Sequence, residues 1–243
     1  MIRIDDVSIA YGRGPRRVLA VDRIRLEMDQ GSSLALIGPS GCGKSTLLFS
    51  IAGLLKPCEG TISIHDQPVV RPRRDVALIL QNAGLLPWKT VWQNANLSLR
   101  LGKEPRDKTA AGVLRELGLY DVRDRFPSEL SEGMKRRVGI ARALSTSPSV
   151  MLMDEPLASL DTLTRERIQD LFLRLWHKHG FSLLVVTHDI EEAAFLGQRI
   201  IVLSDLPASV KTVVENPHMG DLAFRRSDTF YNTVASLREA LAE

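Results

Sequence analysis

The sequence lacks the features that mark secreted and membrane-spanning chains. Only two of its 243 residues are cysteines, which excludes a disulfide framework and favours a reducing compartment. No apolar run approaches the roughly 18 residues that a membrane-spanning helix needs, and residues 1–6 do not have the profile of a signal peptide. We therefore expect a cytosolic chain whose role at a membrane, if it has one, depends on a partner.

The chain also has little excess charge. Its 32 Lys and Arg against 29 Asp and Glu give 32 − 29 = +3, and the densest basic run, residues 71–74, is short and typical of a solvated turn. This balance argues against nucleic acid as a partner. Because 243 residues suit one well-buried α/β domain and are few for two, we expect a single domain over residues 1–243.

Strands and helices alternate along the chain, which predicts an α/β fold. Period-two alternation over residues 2–10 and 18–28 predicts an antiparallel β subdomain at the N-terminus. The strands and helices that follow favour a mostly parallel sheet covered on both faces. Residues from about 88 to 147 have no strong β pattern, so we expect them to form an inserted helical subdomain. The other predicted strands are 33–37, 61–64, 76–80, 150–153, 182–187 and 199–203, and the other predicted helices are 46–55, one with its apolar stripe over 168–176, and one near 230–241.

A glycine-rich sequence follows the predicted strand at 33–37. Residues 38–46 match G-x-x-x-x-G-K-[ST] in full, with a strand before them and a helix after them. The glycines let the backbone curl so that its N–H groups and the helix N-terminus form an anion site. A turn that only links strand to helix would explain the glycines but not the Lys-Ser pair. The predicted phosphate-binding residues are Gly38, Ser40, Gly41, Cys42, Gly43, Lys44, Ser45 and Thr46, of which Lys44 would reach the phosphates, Ser45 would hold Mg²⁺ and Cys42 would be a small residue that fits the loop.

Two acids end the apolar strand predicted at 150–153. Asp154 and Glu155 would lie at the carboxyl end of a parallel strand, where α/β sheets bind ligands. Asp154 fits the Walker B position that holds Mg²⁺ directly or through water, and Glu155 would polarise the attacking water. A pair of acids that caps the next turn is the alternative, although the glycine-rich loop favours the first interpretation. Together these parts predict a P-loop NTPase.

The motifs further along the chain resemble those of the ABC (ATP-binding cassette) ATPases, over nearly the whole chain. Residues 130–134, Leu-Ser-Glu-Gly-Met, stand where that family has its LSGGQ signature, and residues 159–161, Ser-Leu-Asp, resemble its D-loop. Three single residues match by position. Gln81 resembles the Q-loop glutamine, His188 the switch histidine and Tyr11 the aromatic residue that stacks on adenine. Each of these three would be interpreted as structural if it stood alone.

The resemblance implies a P-loop core with ATP and Mg²⁺ as cofactors. Two copies would pack head to tail as a homodimer, and each ATP would lie between the glycine-rich loop of one copy and the signature of the other. Ser131 and the Gly133 N–H would then contact the γ-phosphate across the interface. The implied catalytic residues are Glu155, His188 and Gln81, the implied Mg²⁺ ligands are Ser45, Gln81 and Asp154, and Tyr11 and Asp161 would join the nucleotide site.

Residues 82–94 resemble the corresponding segment of importer ATPases for nitrate, sulfonates and taurine. That resemblance implies integral membrane permease subunits, a solute-binding protein and a peripheral location on the cytoplasmic face of the inner membrane. Leu85, Leu86 and Trp88 would dock the permease, unless they form a local core under the loop. A soluble ABC ATPase unrelated to transport and a weakly hydrolysing, ATP-gated interaction module are the alternative functions.

Glu132 departs from the signature, because it replaces the first glycine. A like charge roughly 7 Å from the triphosphate, at an effective dielectric near 20, would cost on the order of 2 kcal/mol per charge pair. If the backbone there needed a positive φ, Glu132 would also be strained. If the side chain faces solvent, it is screened and the substitution has little effect. We expect the solvent-facing arrangement.

Overall fold

A computed structural model describes residues 1–12, 14–102, 108–158 and 160–242, with residues 15, 102, 108 and 109 described by their backbone alone. The strands are β1 (Ile2–Tyr11), β2 (Val18–Met28), β3 (Ser33–Ile37), β4 (Glu59–Ile64), β5 (Gln67–Pro68), β6 (Val76–Ile79), β7 (Val150–Asp154), β8 (Ser182–Val186), β9 (Arg199–Leu203) and β10 (Val210–Glu215). The α-helices are α1 (Lys44–Ile51), α2 (Val91–Ala95), α3 (Leu97–Gly102), α4 (Lys108–Glu116), α5 (Glu132–Leu144), α6 (Thr162–His179), α7 (Ile190–Leu196) and α8 (Asp228–Ala242). None of the helices in these ranges is long and apolar enough to cross a bilayer.

The described strands form two sheets. The first has the order β2-β1-β4-β5 and is antiparallel, and the second has the order β10-β9-β3-β8-β7-β6. Every pairing in the second sheet is parallel except that of β10 with β9. The predicted α/β fold, with a mostly parallel sheet and a separate antiparallel sheet at the N-terminus, is therefore confirmed.

The parallel sheet is covered on both faces. All residues of β3, β7 and β8 are buried, and their side chains alternate between two hydrophobic cores. Ala35, Met151 and Val185 belong to the core that most of the helices build, whereas Leu36 and Leu152 belong to the core shared with α1 and the antiparallel sheet. This double coverage holds the carboxyl ends of the three strands at one edge of the sheet.

Several predicted boundaries are wrong by a few residues. Helix α1 was expected at 46–55, but it begins at Lys44 and ends at Ile51, because Gly53 adopts a φ of 75° that ends the helix. Strand β4 begins two residues before the predicted 61–64. The predicted strands 76–80 and 182–187 each end one residue early, and 150–153 extends to Asp154. The segment predicted to be helical, about 88–147, contains α2 to α5 and two short 3-10 helices.

Candidate functional site

The glycine-rich loop between β3 and α1 has a backbone that other residues would not adopt. Gly43 has a φ of 121°, and a Cβ on it would lie 2.6 Å from the carbonyl oxygen of Ala20, so only glycine fits. Gly41 has a φ of 78°. Because α1 begins at Lys44, the free N–H groups of its first turn lie at this loop, where they can bind an anion.

Lys44 is held by the loop itself. Its Nζ donates to the carbonyl oxygens of Gly38 at 2.9 Å and Pro39 at 2.8 Å, and the side chain is buried. Cys42 is also buried, 3.9 Å from the same Nζ through its Sγ atom, as expected for a small residue that fits the loop. The lysine cation is therefore already at the place where phosphate oxygens could replace the two carbonyls.

Ser45 and Asp154 meet across the carboxyl edge of the sheet. The Ser45 hydroxyl donates to Asp154 Oδ1 at 2.7 Å. Burial raises the pKa of Asp154 above its usual range, and the hydrogen bond from Ser45 opposes that shift. The two oxygens suit a hard cation such as Mg²⁺. No cluster of three or more His, Cys, Asp or Glu in the described ranges could hold a metal by itself, so a cation here would also need phosphate or water oxygens.

Glu155 and His188 lie together at the ends of neighbouring strands. Glu155 follows β7 with a φ of 44°, and its N–H donates to the carbonyl oxygen of Val186 at the end of β8. His188 Nδ1 lies 3.1 Å from Glu155 Oε1. The left-handed backbone of a non-glycine residue is typical of functional sites. The arrangement gives a carboxylate that can accept a proton and an imidazole that can orient it.

Gln81 and Tyr11 come from two other strands, since Gln81 follows β6 and Tyr11 ends β1. Gln81 is exposed just beyond the carboxyl end of β6, which neighbours β7 in the sheet. Tyr11 ends β1, is 45% exposed, and its hydroxyl lies 3.0 Å from Thr46 Oγ1 in the first turn of α1. An exposed aromatic ring fixed beside the glycine-rich loop is available for stacking.

The residues of the predicted signature form the start of α5. Ser131 is the N-cap residue, its Oγ accepting the N–H of Met134, and Glu132 and Gly133 are the first two helical residues. Asp161 caps α6 in the same way, and its hydrogen bonds with Thr164 lower its pKa. Ser159, the first residue of the predicted D-loop, lies outside the described residues.

A cavity of about 880 Å³ lies beside these two helix starts, and its lining includes Ser131, Gly133 and Asp161. Among the described residues that line it, none belongs to the glycine-rich loop, residues 38–46. The chain therefore presents two separate groups of predicted nucleotide-binding residues, one at the sheet edge and one at the signature.

Glu132 is exposed in the single chain, where it lines the same cavity as Ser131 and Gly133. It lies in the first turn of α5, so its φ is not positive, and its carboxylate pairs with Lys135 Nζ at 2.6 Å with 65% of the side chain exposed. An acid in the first turn is favourable because it lies near the positive end of the helix dipole. The strained arrangement that the sequence left open does not occur.

Replacing Glu132 with glycine should therefore change kcat of the ATP hydrolysis that the resemblance implies by less than about tenfold, or about 1.4 kcal/mol in the barrier. The exposed carboxylate is screened and already paired. The measurement is steady-state turnover at saturating ATP. Glu132→Gln is the control, because it removes the charge without adding the backbone freedom of glycine. A hundredfold increase in Glu132→Gly would contradict the solvent-facing arrangement.

Sequence reasoning missed the polar group formed by residues that flank His188 in the sequence. Glu192 is fully buried, its Oε2 accepts a hydrogen bond from Thr187 Oγ1 at 2.5 Å, and burial raises its pKa to about 8. Asp189 caps α7 and pairs with Arg165 at 2.8 Å. The spacing Asp-x-x-Glu at 189–192 is typical of a helix start, so the cap could have been predicted, whereas the burial of Glu192 could not.

Comparisons of the sequence and of the fold with known proteins identify the family. A family model described as "ABC transporter" matches residues 21–158. The taurine import ATP-binding protein TauB of Rhizobium johnstonii is 42% identical over 214 residues, covering 86% of this chain and 82% of that protein. The nitrate import ATP-binding protein NrtD of Synechocystis sp. is 40% identical over 213 residues, covering 86% and 80%. A dimeric structure of the ATP-binding cassette MJ0796 in a post-hydrolysis state, bound to ADP and Pi, matches with a TM-score of 0.78 at 31% identity, covering 88% of this chain and 98% of that one.

Proposed function

The chain is an ATP-binding and ATP-hydrolysing member of the ABC transporter family, and on that premise we propose that it powers the import of a small solute with an anionic group, such as nitrate, a sulfonate or taurine. The observation that carries the proposal is the convergence of Lys44, the Ser45–Asp154 pair and the Glu155–His188 pair at one edge of the sheet. The solute class rests on the relatives, whose names describe taurine and nitrate import.

The loop and its lysine would bind the triphosphate. Phosphate oxygens would replace the carbonyls of Gly38 and Pro39 as partners of Lys44, and the N–H groups at the start of α1 would add hydrogen bonds. The ring of Tyr11 would stack on adenine. Ser45, Asp154 and Gln81 would hold Mg²⁺, which neutralises charge on the phosphates when it is bound.

Glu155 would accept the proton of the attacking water. Its carboxylate lies 3.1 Å from His188 Nδ1, so the imidazole can fix the direction in which the carboxylate points. Gln81, at the end of the neighbouring strand, would face the same phosphate. General-base catalysis of this kind typically contributes about 10²–10⁴-fold to the rate.

A second copy of the chain would complete the site. Ser131, Gly133 and Asp161 lie at a cavity that none of the loop residues 38–46 lines, so a head-to-tail homodimer would bring the signature of one copy to the nucleotide of the other. The dimeric state of the similar cassette supports this arrangement. Residues 1–243 would act as one ABC ATPase domain in each copy, with the helices from about 88 to 147 as an inserted subdomain.

Trp88 would dock the permease. Its side chain is 68% exposed, whereas Leu85 packs against the hydrophobic core and Leu86 is half-buried. The core alternative therefore describes Leu85 better than Trp88. A chain docked in this way would be peripheral, on the cytoplasmic face of the inner membrane, with integral membrane permease subunits and a solute-binding protein as partners and no nucleic acid.

Replacing Trp88 with alanine should weaken assembly with the membrane subunit and leave ATP binding and the melting temperature unchanged, because an exposed side chain contributes little to the core. The measurement is the amount of membrane subunit that co-purifies with each variant. Leu101→Ala is a matched control, since Leu101 is 78% exposed on α3. Normal assembly with a lowered melting temperature would instead place Trp88 in the core.

Reconstitution tests the whole proposal. The chain, purified with its membrane subunit and placed in vesicles with the solute-binding protein added on the uptake side, should drive ATP-dependent uptake of labelled taurine, an alkanesulfonate or nitrate. ATP hydrolysis without any co-purifying membrane protein would favour a soluble ABC ATPase. ATP binding without turnover, even in the complex, would favour an ATP-gated interaction module.

A further inference from the structure

The connection from β6 to α2 is here called the Gln81 segment (residues 80–90). Side chains of α2 and α5 form hydrogen bonds with its backbone. Its second half depends on Asn94 of α2, which is completely buried. The Asn94 amide accepts the N–H of Leu86 at 2.9 Å and donates to three carbonyls within residues 86–90. The part of the segment that presents Trp88 is therefore fixed to α2.

Arg142 of α5 binds the turn that follows Gln81. Its two Nη atoms donate to the carbonyl oxygens of Ala83 and Gly84 at 2.6 Å each. Both residues of the turn are left-handed, with φ of 54° and 56°, a conformation that costs free energy for alanine. Gly139 of α5 leaves room for the buried Ala83, since a Cβ at 139 would lie 3.1 Å from the Ala83 Cβ. The helix and the turn therefore fit each other closely.

The Arg142 contact holds the turn rather than neutralising a charge. None of the ion pairs between described residues includes Arg142, and burial lowers its pKa. Arg142 is half-buried, and withdrawing a guanidinium from water without a carboxylate costs free energy, which the two short hydrogen bonds offset. The planar fork of arginine can bond two adjacent carbonyls at once, whereas a lysine ammonium cannot match that geometry.

A second arginine of α5 binds the backbone before Gln81. Arg136 is buried, and its Nη atoms donate to the carbonyl oxygens of Leu80 at 3.5 Å and Ala158 at 3.1 Å. Gln81 therefore lies between two backbone contacts made by the same helix. Helix α5 is also the helix that begins with the signature residue Ser131 as its cap.

We propose that Arg142 is a positioning residue for ATP hydrolysis, which fixes Gln81 through the Ala83–Gly84 turn and ties it to the signature helix. The inference rests on the proposed role of Gln81 at the phosphates. The turn has no other side chain that bonds both of its carbonyls among the described residues. Loss of Arg142 frees the turn, and Gln81 then samples positions away from the reacting phosphate.

Arg142→Ala should lower kcat by about tenfold to 10²-fold, the range that a displacement of about 1 Å produces at a reacting centre, with KM for ATP changed less than about threefold. The decisive measurement is a double-mutant cycle. In a Gln81→Ala background, Arg142→Ala should lower kcat by less than about twofold, because Arg142 acts through Gln81. If the losses of kcat in the two single variants add in the double variant, the positioning role of Arg142 is overturned and the proposed function is not. A parent chain that hydrolyses no ATP would overturn the proposed function together with it.

Hydrogen exchange in the nucleotide-free chain gives a readout that does not depend on turnover. Arg142→Ala should speed amide exchange over residues 82–86 by at least about tenfold and leave β7 and β8 unchanged. Unchanged exchange over 82–86 would overturn the inference. Arg123→Ala is the control, because Arg123 also donates to a backbone carbonyl within the helical block, that of Tyr120, but does not contact the Gln81 segment.

Two further variants keep the test decisive if Arg142→Ala fails to fold. Arg142→Lys keeps the charge but loses the fork, and should give an intermediate loss of kcat. Gly139→Ala keeps Arg142 but displaces the Ala83–Gly84 turn away from α5, because the new Cβ would lie 3.1 Å from the Ala83 Cβ. Both should show the same dependence on Gln81 in the double-mutant cycle, and parent-like kcat in both would overturn the inference.

Discussion

Replacing Glu155 with glutamine should lower kcat for ATP hydrolysis by about 10²–10⁴-fold and leave ATP binding intact. Glutamine has the same shape as glutamate and can keep a hydrogen bond to His188, whose Nδ1 lies 3.1 Å from the Glu155 carboxylate. The glutamine amide cannot accept a proton at neutral pH, so the attacking water keeps its proton and remains a weak nucleophile. The ATP-bound dimer should therefore accumulate.

Single-turnover hydrolysis measures the chemical step, and size-exclusion chromatography with ATP measures the dimer. Glu191→Gln is the matched control, since Glu191 is an exposed glutamate on α7, close to His188 in the sequence, and it should turn over ATP at the parent rate. Turnover at the parent rate in Glu155→Gln would assign the general base to another residue.

Replacing Lys44 with alanine should weaken ATP binding by about 10- to 150-fold, the equivalent of about 1.5–3 kcal/mol for a hydrogen bond to a charged group. Lys44 is buried, and its two carbonyl partners in the loop are the groups that phosphate oxygens would replace. The alanine variant loses that cation where the triphosphate is most negative.

Equilibrium titration with a fluorescent ATP analogue and Mg²⁺ measures the loss of affinity. Lys56→Ala is the control, because Lys56 is an exposed lysine shortly after α1. An unchanged Kd in Lys44→Ala would rule out the phosphate-binding role of Lys44. A weaker Kd at an unchanged melting temperature would separate the loss of binding from a loss of loop stability.

The parts of the site that lie close together in sequence could be predicted. The Lys44–Ser45 pair is fixed by the spacing of residues 38–46, and Asp154 and Glu155 by the end of one strand, so a pattern alone locates them. The contact between Glu155 and His188 depends instead on the pairing of β7 with β8. The resemblance to a family implied that both residues are catalytic, but neither that resemblance nor the spacing along the chain predicted their contact.

Other features were missed for physical reasons. Strand β10 alternates half-buried and exposed residues at the edge of the sheet, so it has no apolar run to mark it. Arg136 and Arg142 bind backbone carbonyls of a distant segment. Every residue has a backbone carbonyl, so no residue type in the sequence indicates which carbonyls an arginine will bind.

The position of β3 in the centre of the parallel sheet has a consequence for how the chain folds during synthesis. Ser33 of β3 pairs with Leu183 of β8, and such distant partners make folding slow. At about 5–20 residues per second, the ribosome needs roughly 8–30 seconds to make the intervening stretch. Until then β3 has neither neighbour, since its other partner β9 comes later still. The strand that leads into the nucleotide loop is therefore completed late, and a nascent chain stalled before β8 would expose both of its edges.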